Sequence, residues 1–252
     1  MGFVEGDMLP PAKCAQCIVR RQALFTPLSE SDLEKVQDAR IGTRCVKEGN
    51  RFPTLVNGNA TAYMTVHSGW AMRCRLLEDG QVQIVSFLLP GAFVDGSFES
   101  ANGESYWIEA ITDVQLCVFA GHRLETHFIN VPSLSRTFAS LVQNEEAVLM
   151  EHLADVGRRD APRRIAHFLL ETFTRLKLLG HADENVVFFP LRQQHLADAL
   201  GLSLEHVNRM LRELRERQWI SIKHHRLHIL DLPAMSDYCD FHPGYLTPRP
   251  IL

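Results

Sequence analysis

LRQQHLADALGLSLEHVNRMLRELRERQWISIKHHRLHIL, residues Leu191–Leu230, decides how the rest of the chain is read. Leu191, His195, Leu196, Ala199 and Leu200 recur at helical spacing, and Gly201 then offers the left-handed backbone that glycine adopts cheaply. Ser203 is a good N-cap for a second helix, whose apolar side recurs as Val207, Met210, Leu211 and Leu214. Two helices joined by a glycine turn make a helix-turn-helix, and the second of them can enter a major groove with its first residues against the bases. After it, residues 219–222 and 226–229 read as two short strands around the basic turn Lys223-His224-His225, the wing of a winged helix.

The polar side of the second helix carries Glu205, His206, Asn208, Arg209, Arg212 and Arg215. A glutamate accepts a hydrogen bond from the cytosine amino group, and an arginine holds guanine by two bonds, so these are base-reading residue types. Arg192, Gln193 and Ser203 at the helix starts, with Lys223 and His224 on the wing, complete the candidate contacts to double-stranded DNA. Local charge supports that use. Residues 191–230 hold seven Arg or Lys against four Asp or Glu, a net of +3, whereas the whole chain is at −4. A basic island in an acidic protein is the electrostatic footprint of phosphate contact. The alternative reading is an amphipathic helix pair used for protein contact.

This run resembles the DNA-binding domain of the Crp/Fnr superfamily of transcription regulators. The resemblance implies that Glu205 and Arg209 read bases, with the variable position of the family at Asn208. It also implies a homodimer on a palindromic operator and RNA polymerase as a partner, in most members as an activator rather than an enzyme.

The full chain has 252 residues, 46 % of them hydrophobic, enough for two domains with a core each. It has no run of about 18 apolar residues. Its first residues lack the basic and apolar pattern of an export signal. Six cysteines stand scattered rather than in a close-spaced framework, so a reducing cytoplasm and no membrane are expected. Between about Ala39 and Phe119, turn pairs such as Ser68-Gly69, Asp79-Gly80 and Pro90-Gly91 separate short alternating runs, which argues for an antiparallel barrel or jelly roll. The fold class expected is α+β: an N-terminal jelly roll like the cyclic-nucleotide-binding fold, a long dimerisation helix and a C-terminal winged helix-turn-helix. The expected boundaries are 1–24 for a flexible leader, 25–130 for the jelly-roll sensor, 131–157 for the helix, 158–235 for the DNA-binding domain and 236–252 for an irregular tail.

In the long helix, Phe138, Val142, Leu149 and Val156 fit alternating heptad seam positions, with Glu145 and His152 between them and Leu153 beside them. A helix of that length between sensor and reader suits a dimer axis, or else a core helix packed on its own barrel. In the resembled family the equivalent helix is the dimer interface.

Cyclic-nucleotide binders of this family carry a glutamate for the ribose and an Arg-Ser or Arg-Thr pair for the phosphate. Here Gly96 and Ser97 fall where the glutamate would be, and Glu104-Ser105 where the pair would be. A buried phosphodiester facing a carboxylate with no guanidinium would be repelled and poorly desolvated, which disfavours cyclic AMP. Cys14-x-x-Cys17 and the distant Cys117 resemble the cysteine set of the oxygen-sensing branch, which holds a [4Fe-4S] cluster, so an iron-sulfur cofactor is one reading. Ala23, Leu24 and Phe25 stand where a third N-terminal cysteine would be, leaving Cys45, Asp32 or a non-protein group as fourth ligand. Thiol redox sensing, and no signalling role at all, are the other readings. Strand parity puts Cys117 with Asp113 and Gln115, on the more polar face of its strand. The alternatives to a redox- or oxygen-responsive regulator are a cyclic-nucleotide-responsive one and a small-molecule binding protein or enzyme that uses the barrel, but no glycine-rich phosphate loop, nucleophile elbow or zinc-type His-x-x-x-His pair beside a carboxylate points to an enzyme.

Overall fold

A computed structural model of the chain describes Cys14, Cys17 and residues 28–52, 55–56, 60–95 and 105–247. The expected leader apart from Cys14 and Cys17, Ala23 to Phe25 and the cassette positions Gly96, Ser97 and Glu104 lie outside the described residues. Packing divides the α+β chain into two compact units, Met1–Ala139 and Ser140–Leu252.

The first unit begins with α1 (Glu30–Ala39), capped by Ser29, whose hydroxyl accepts a hydrogen bond from the Asp32 amide. Glu30 and Asp32 in its first turn suit the positive end of the helix dipole. The strands β1 (Arg40–Val46), β2 (Leu55–Val56), β3 (Ala60–Ser68), β4 (Ala71–Leu76), β5 (Val82–Leu88), β6 (Phe93–Asp95), β7 (Tyr106–Ala110) and β8 (Val114–Ala120) follow. One sheet runs β1-β8-β3-β2 with β6 paired to β3, the other β5-β4-β7. All these pairs are antiparallel, and the roll expected from the turn pairs is present. Its core is the alternate-residue set Met64, Val66, Leu116 and Val118 with Ala71, Leu88, Val94 and Ile108. At Gly69, with φ +87°, an added Cβ would strike the carbonyl of Asp113, so the β3–β4 turn admits no side chain.

Two more helices close this unit, α2 (Gly121–Asn130) and the start of α3 (Pro132–Gly157). With α1 they cover the outer end of β8, burying Leu33, Val36, Leu124 and Leu134 against Cys117 and Phe119. The expectation for Cys117 is therefore corrected. Parity holds for Gln115, which is exposed, but the same face turns apolar further along, and Cys117 is only 6 % exposed under the helices. Phe138 also departs from its expected place on a dimer seam: its ring stacks on Phe128 at 4.7 Å and meets Phe93 edge-on at 5.6 Å.

The second unit holds the remainder of α3, α4 (Ala161–Leu178), β9 (Ala182–Asp183), β10 (Val186–Phe188), α5 (Gln193–Leu200), α6 (Leu204–Glu216), β11 (Ile220–Lys223), β12 (Arg226–Ile229) and α7 (Leu232–Cys239). Its sheet runs β11-β12-β10-β9. Packing divides the chain inside α3 rather than after it because His152, Asp155 and Arg159 bond within this unit, as set out below. The irregular tail expected over 236–252 is also corrected. Asp231 caps α7, Met235, Cys239 and Phe241 are buried, and a 3-10 turn at Pro243–Leu246 follows. Pro233 lies in the first turn of α7, where its missing N–H costs nothing.

Along α3, Val142, Leu149, Leu153 and Val156 stand 51, 48, 74 and 51 % exposed. With exposed Glu146 they follow a four-three heptad spacing. His152, expected in the seam, turns instead into the second unit, and Leu153 occupies the exposed stripe.

Candidate nucleic-acid interface

The helix-turn-helix is built as its sequence pattern requires. Gly201, at φ 63° and ψ 42°, caps α5 in the left-handed conformation, and the Ser203 hydroxyl accepts from the His206 amide to start α6. Val207, Met210, Leu211 and Leu214 are buried, fixing which side of α6 faces inward. Glu205, Arg209 and Arg212 therefore fall on the opposite, exposed side, at i, i+4 and i+7. Asn208 is half-buried on the same stripe and donates from Nδ2 to the Leu204 carbonyl at 3.0 Å. His206 is half-buried beside the cap, and Arg215 donates from Nε to the Leu211 carbonyl at 2.9 Å.

Arg192, exposed, is the N-cap residue of α5, and its amide donates to Nδ1 of His195 at 3.2 Å. Gln193 opens that helix half-buried, and Ser203 is exposed. The wing β11–β12 turns at His224 and His225, at φ 49° and 56°. Two consecutive positive φ values match the tight turn of a two-residue hairpin, here without glycine. Lys223 and His224 project exposed at its tip. The candidate contacts thus lie on the exposed side of α6, at two helix starts and on a wing.

Beneath these elements lies a polar network that sequence pattern does not reveal. The buried Glu171 carboxylate meets His152 Nε2 at 2.9 Å and accepts from the Tyr245 hydroxyl at 2.7 Å. Burial works against ionisation of Glu171, yet His152, Arg175 and Tyr245 together hold its carboxyl below the usual range. Burial likewise opposes the charged form of His152, but the bond to Glu171 raises it above its ordinary value. Next to this pair, Arg159 Nη1 donates to Asp155 at 2.9 Å, and its Nε donates to the Cys239 carbonyl at 3.2 Å. His167 Nδ1 lies 2.9 Å from Asp155, and its ring meets Phe241 edge-on. Helical spacing identified the apolar sides of these helices, but polar residues that pair across long sequence separations carry no local signal.

In the first unit, Cys14, Cys17 and Cys117 gather around Arg40 and His67. The Arg40 guanidinium donates to Cys14 Sγ at 3.8 Å and to the Thr43 hydroxyl at 2.9 Å. The Cys14 amide donates to the Gln37 side chain, and Cys17 donates back to the Cys14 carbonyl. Burial pushes the Cys117 thiol up to about 11, opposed by the Arg40 charge. The hydrogen bond to Cys17 raises the His67 imidazole. Of the fourth ligands considered, Asp32 is engaged by Ser133 at 2.7 Å and Lys35 at 3.4 Å. Cys45 is exposed and pairs across β1–β8 with Gln115, two residues from Cys117. Among the described residues no group of three His, Cys, Asp or Glu side chains is arranged to hold a metal ion. Among the described residues a guanidinium lies against one of the three thiols and no set of donors is arranged around a common point, so these residues do not fit a four-ligand cluster.

Residues 163–238 match the Crp-like helix-turn-helix domain family. The chain is 30 % identical over 218 residues to the nitrogen fixation regulation protein FixK of Bradyrhizobium diazoefficiens, covering 86 % of this chain and 90 % of that protein. It is 34 % identical over 176 residues to FixK of Rhizobium meliloti, covering 69 % and 77 %. The structure of FixK2 from Bradyrhizobium japonicum superposes with a TM-score of 0.67 at 23 % identity, covering 78 % of this chain and 96 % of that one. Among the described residues no helix is long and apolar enough to cross a membrane.

Proposed function

Because this chain belongs to the Crp/Fnr superfamily of transcription regulators, we propose that it acts as a homodimer whose two α6 helices read the half-sites of a palindromic operator. The observation that carries this reading is the exposed stripe Glu205, Arg209 and Arg212, set opposite a fully buried apolar side of the same helix. Glu205 accepts from a cytosine amino group and Arg209 donates to guanine O6 and N7. Asn208 and Arg212 contact neighbouring base edges or phosphate, and His206 lies against the backbone at the helix start. Arg192, Gln193, Ser203, Lys223 and His224 grip phosphates on either side, which fixes register without reading sequence.

The exposed stripe Val142, Leu149, Leu153 and Val156 pairs α3 with its copy. Twofold symmetry then sets two α6 helices about one helical turn of DNA apart. From that position in the cytoplasm the dimer activates transcription by contact with RNA polymerase. The cysteines gathered around Arg40, whose guanidinium donates to Cys14 Sγ, are the place of a redox input.

Fluorescence anisotropy on a selected operator and on random duplex tests the base assignment. Arg209→Ala loses about 1–3 kcal/mol on the operator and relaxes preference at one base position, while Arg192→Ala weakens both duplexes alike. Equal losses of Arg209→Ala on the two duplexes would remove that side chain from the bases.

A further inference from the structure

Arg164, near the start of α4, reaches three main-chain carbonyls that belong to separate pieces of the second unit. Its Nη1 donates to the Leu200 carbonyl at 2.7 Å. Its Nη2 donates to Val156 and Arg159, each at 3.1 Å. Val156 is in the last turn of α3, Arg159 lies in the short connection to α4, and Leu200 is the last residue of α5, directly before the left-handed Gly201 that opens the turn to α6. Helix C-termini leave carbonyls without intrahelical partners and carry the negative end of the dipole, so a cation is favourable at each. A guanidinium is planar and holds its donors in a fixed fork, so one side chain bonded to both helix ends fixes the distance and angle between them. The Arg164 Nε is buried without a hydrogen-bond partner among the described residues. The side chain is thus placed for what its two terminal nitrogens reach, at the expense of its third.

We propose that Arg164 is a positioning residue that ties the end of the dimer helix to the turn before the recognition helix, and thereby sets the separation of the two recognition helices of the dimer. The proposal rests on the homodimeric, palindrome-reading function above. A single α6 needs no such tie to bind one half-site. Two of them need it to meet two half-sites at one spacing, because freedom at the end of α3 lets each reader swing independently. The free energy then goes into re-ordering the second reader on every binding event.

The test starts with the duplex that the wild-type protein selects from a randomised library. The probes are that duplex, its single half-site, and versions with one base pair added or removed at the centre. Binding of wild type, Arg164→Gln and Arg164→Lys is measured by fluorescence anisotropy, with dimer content checked by sedimentation. Half-site affinity is expected to stay within about twofold of wild type in both variants, which also shows that the reader is folded. The advantage of the full operator over the half-site falls about tenfold in Arg164→Gln, near the worth of one charge-assisted hydrogen bond, and the preference for the native spacing flattens. Arg164→Lys, a point charge without the fork, falls between the two. If Arg164→Gln does not fold, Arg164→Lys read in the same way decides. Unchanged spacing preference overturns the proposal, and so do equal losses on half-site and full operator, the signature of a side chain that only holds the unit together. If the wild type selects no inverted repeat, the dimeric reading falls and the proposal with it. An inverted repeat with unchanged spacing preference in the variants removes the tie alone.

Discussion

Replacing Leu153 by alanine separates a dimer seam from a core helix. In one copy this side chain is 74 % exposed, and its neighbours Leu149 and Val156 are about half exposed. Truncation therefore removes little packing within a single chain, and its effect on monomer folding is expected within about 0.5 kcal/mol. In a twofold dimer the side chain occurs twice in the seam. Full burial of a leucine contributes about 1.5–3 kcal/mol, and alanine keeps only part of it. The dimer should then lose about 2–4 kcal/mol, which raises its dissociation constant on the order of 30- to 1,000-fold. Leu134 in the same helix supplies the contrast, since it is 1 % exposed among Leu33, Val36 and Leu124. Its alanine variant should cost about 2–5 kcal/mol of folding stability. Sedimentation across a concentration series gives the dissociation constant, and urea unfolding of dilute protein gives the stability. A Leu153→Ala variant with unchanged dimer affinity and a monomer less stable by more than about 2 kcal/mol would refute the reasoning.

Two glycines with similar φ should respond differently to alanine. Gly201 has open space around its Cβ position, so Gly201→Ala costs only the left-handed backbone, about 1 kcal/mol, whereas Gly69→Ala also meets the Asp113 carbonyl and costs on the order of 3 kcal/mol; equal losses in urea unfolding would contradict this. The Glu171–His152 pair gives stability a plateau in pH. The lowered Glu171 contributes stability that is present above its ordinary value of 4.5 and lost as pH falls through its folded value. The raised His152 contributes stability that is fully present below 6.5 and lost as pH rises through its folded value. Glu171→Gln, at a cost of about 1–3 kcal/mol, should flatten both limbs of a melting-temperature profile, and a profile parallel to wild type would assign them elsewhere. Glu146 interrupts the exposed stripe of α3, so Glu146→Leu should tighten the dimer in sedimentation, and an unchanged dissociation constant would place the seam on another side of the helix.

The reader was legible because local rules suffice there. Val207, Met210, Leu211 and Leu214 recur at helical spacing and are all buried, Gly201 takes the backbone that only glycine adopts cheaply, and the strands around Lys223 to His225 form the expected hairpin. The roll was legible for the same reason, since its turns are marked by glycine and its strands alternate. What lay beyond reach was set by partners distant in sequence. Parity alone placed Cys117 on a polar face, and helices elsewhere in the chain turned that end of the face into core. Heptad spacing alone could not choose between His152 and Leu153, because the choice depends on Glu171, 19 residues further on. The tail looked irregular because its prolines and its short apolar set have meaning only against α4, where Tyr245 meets Glu171 and Phe241 meets His167. Arg164 carried no signal either, since its partners are carbonyls, which every residue has.

Selection of bound duplexes from a randomised library by the wild-type protein tests the central claim most directly. A homodimer paired through α3 and reading with Glu205 and Arg209 should enrich an inverted repeat, with half-site centres about 34–36 Å apart along the duplex and tolerant bases between them. Enrichment of a single unsymmetrical site, or of no sequence above the salt-sensitive background, would contradict it.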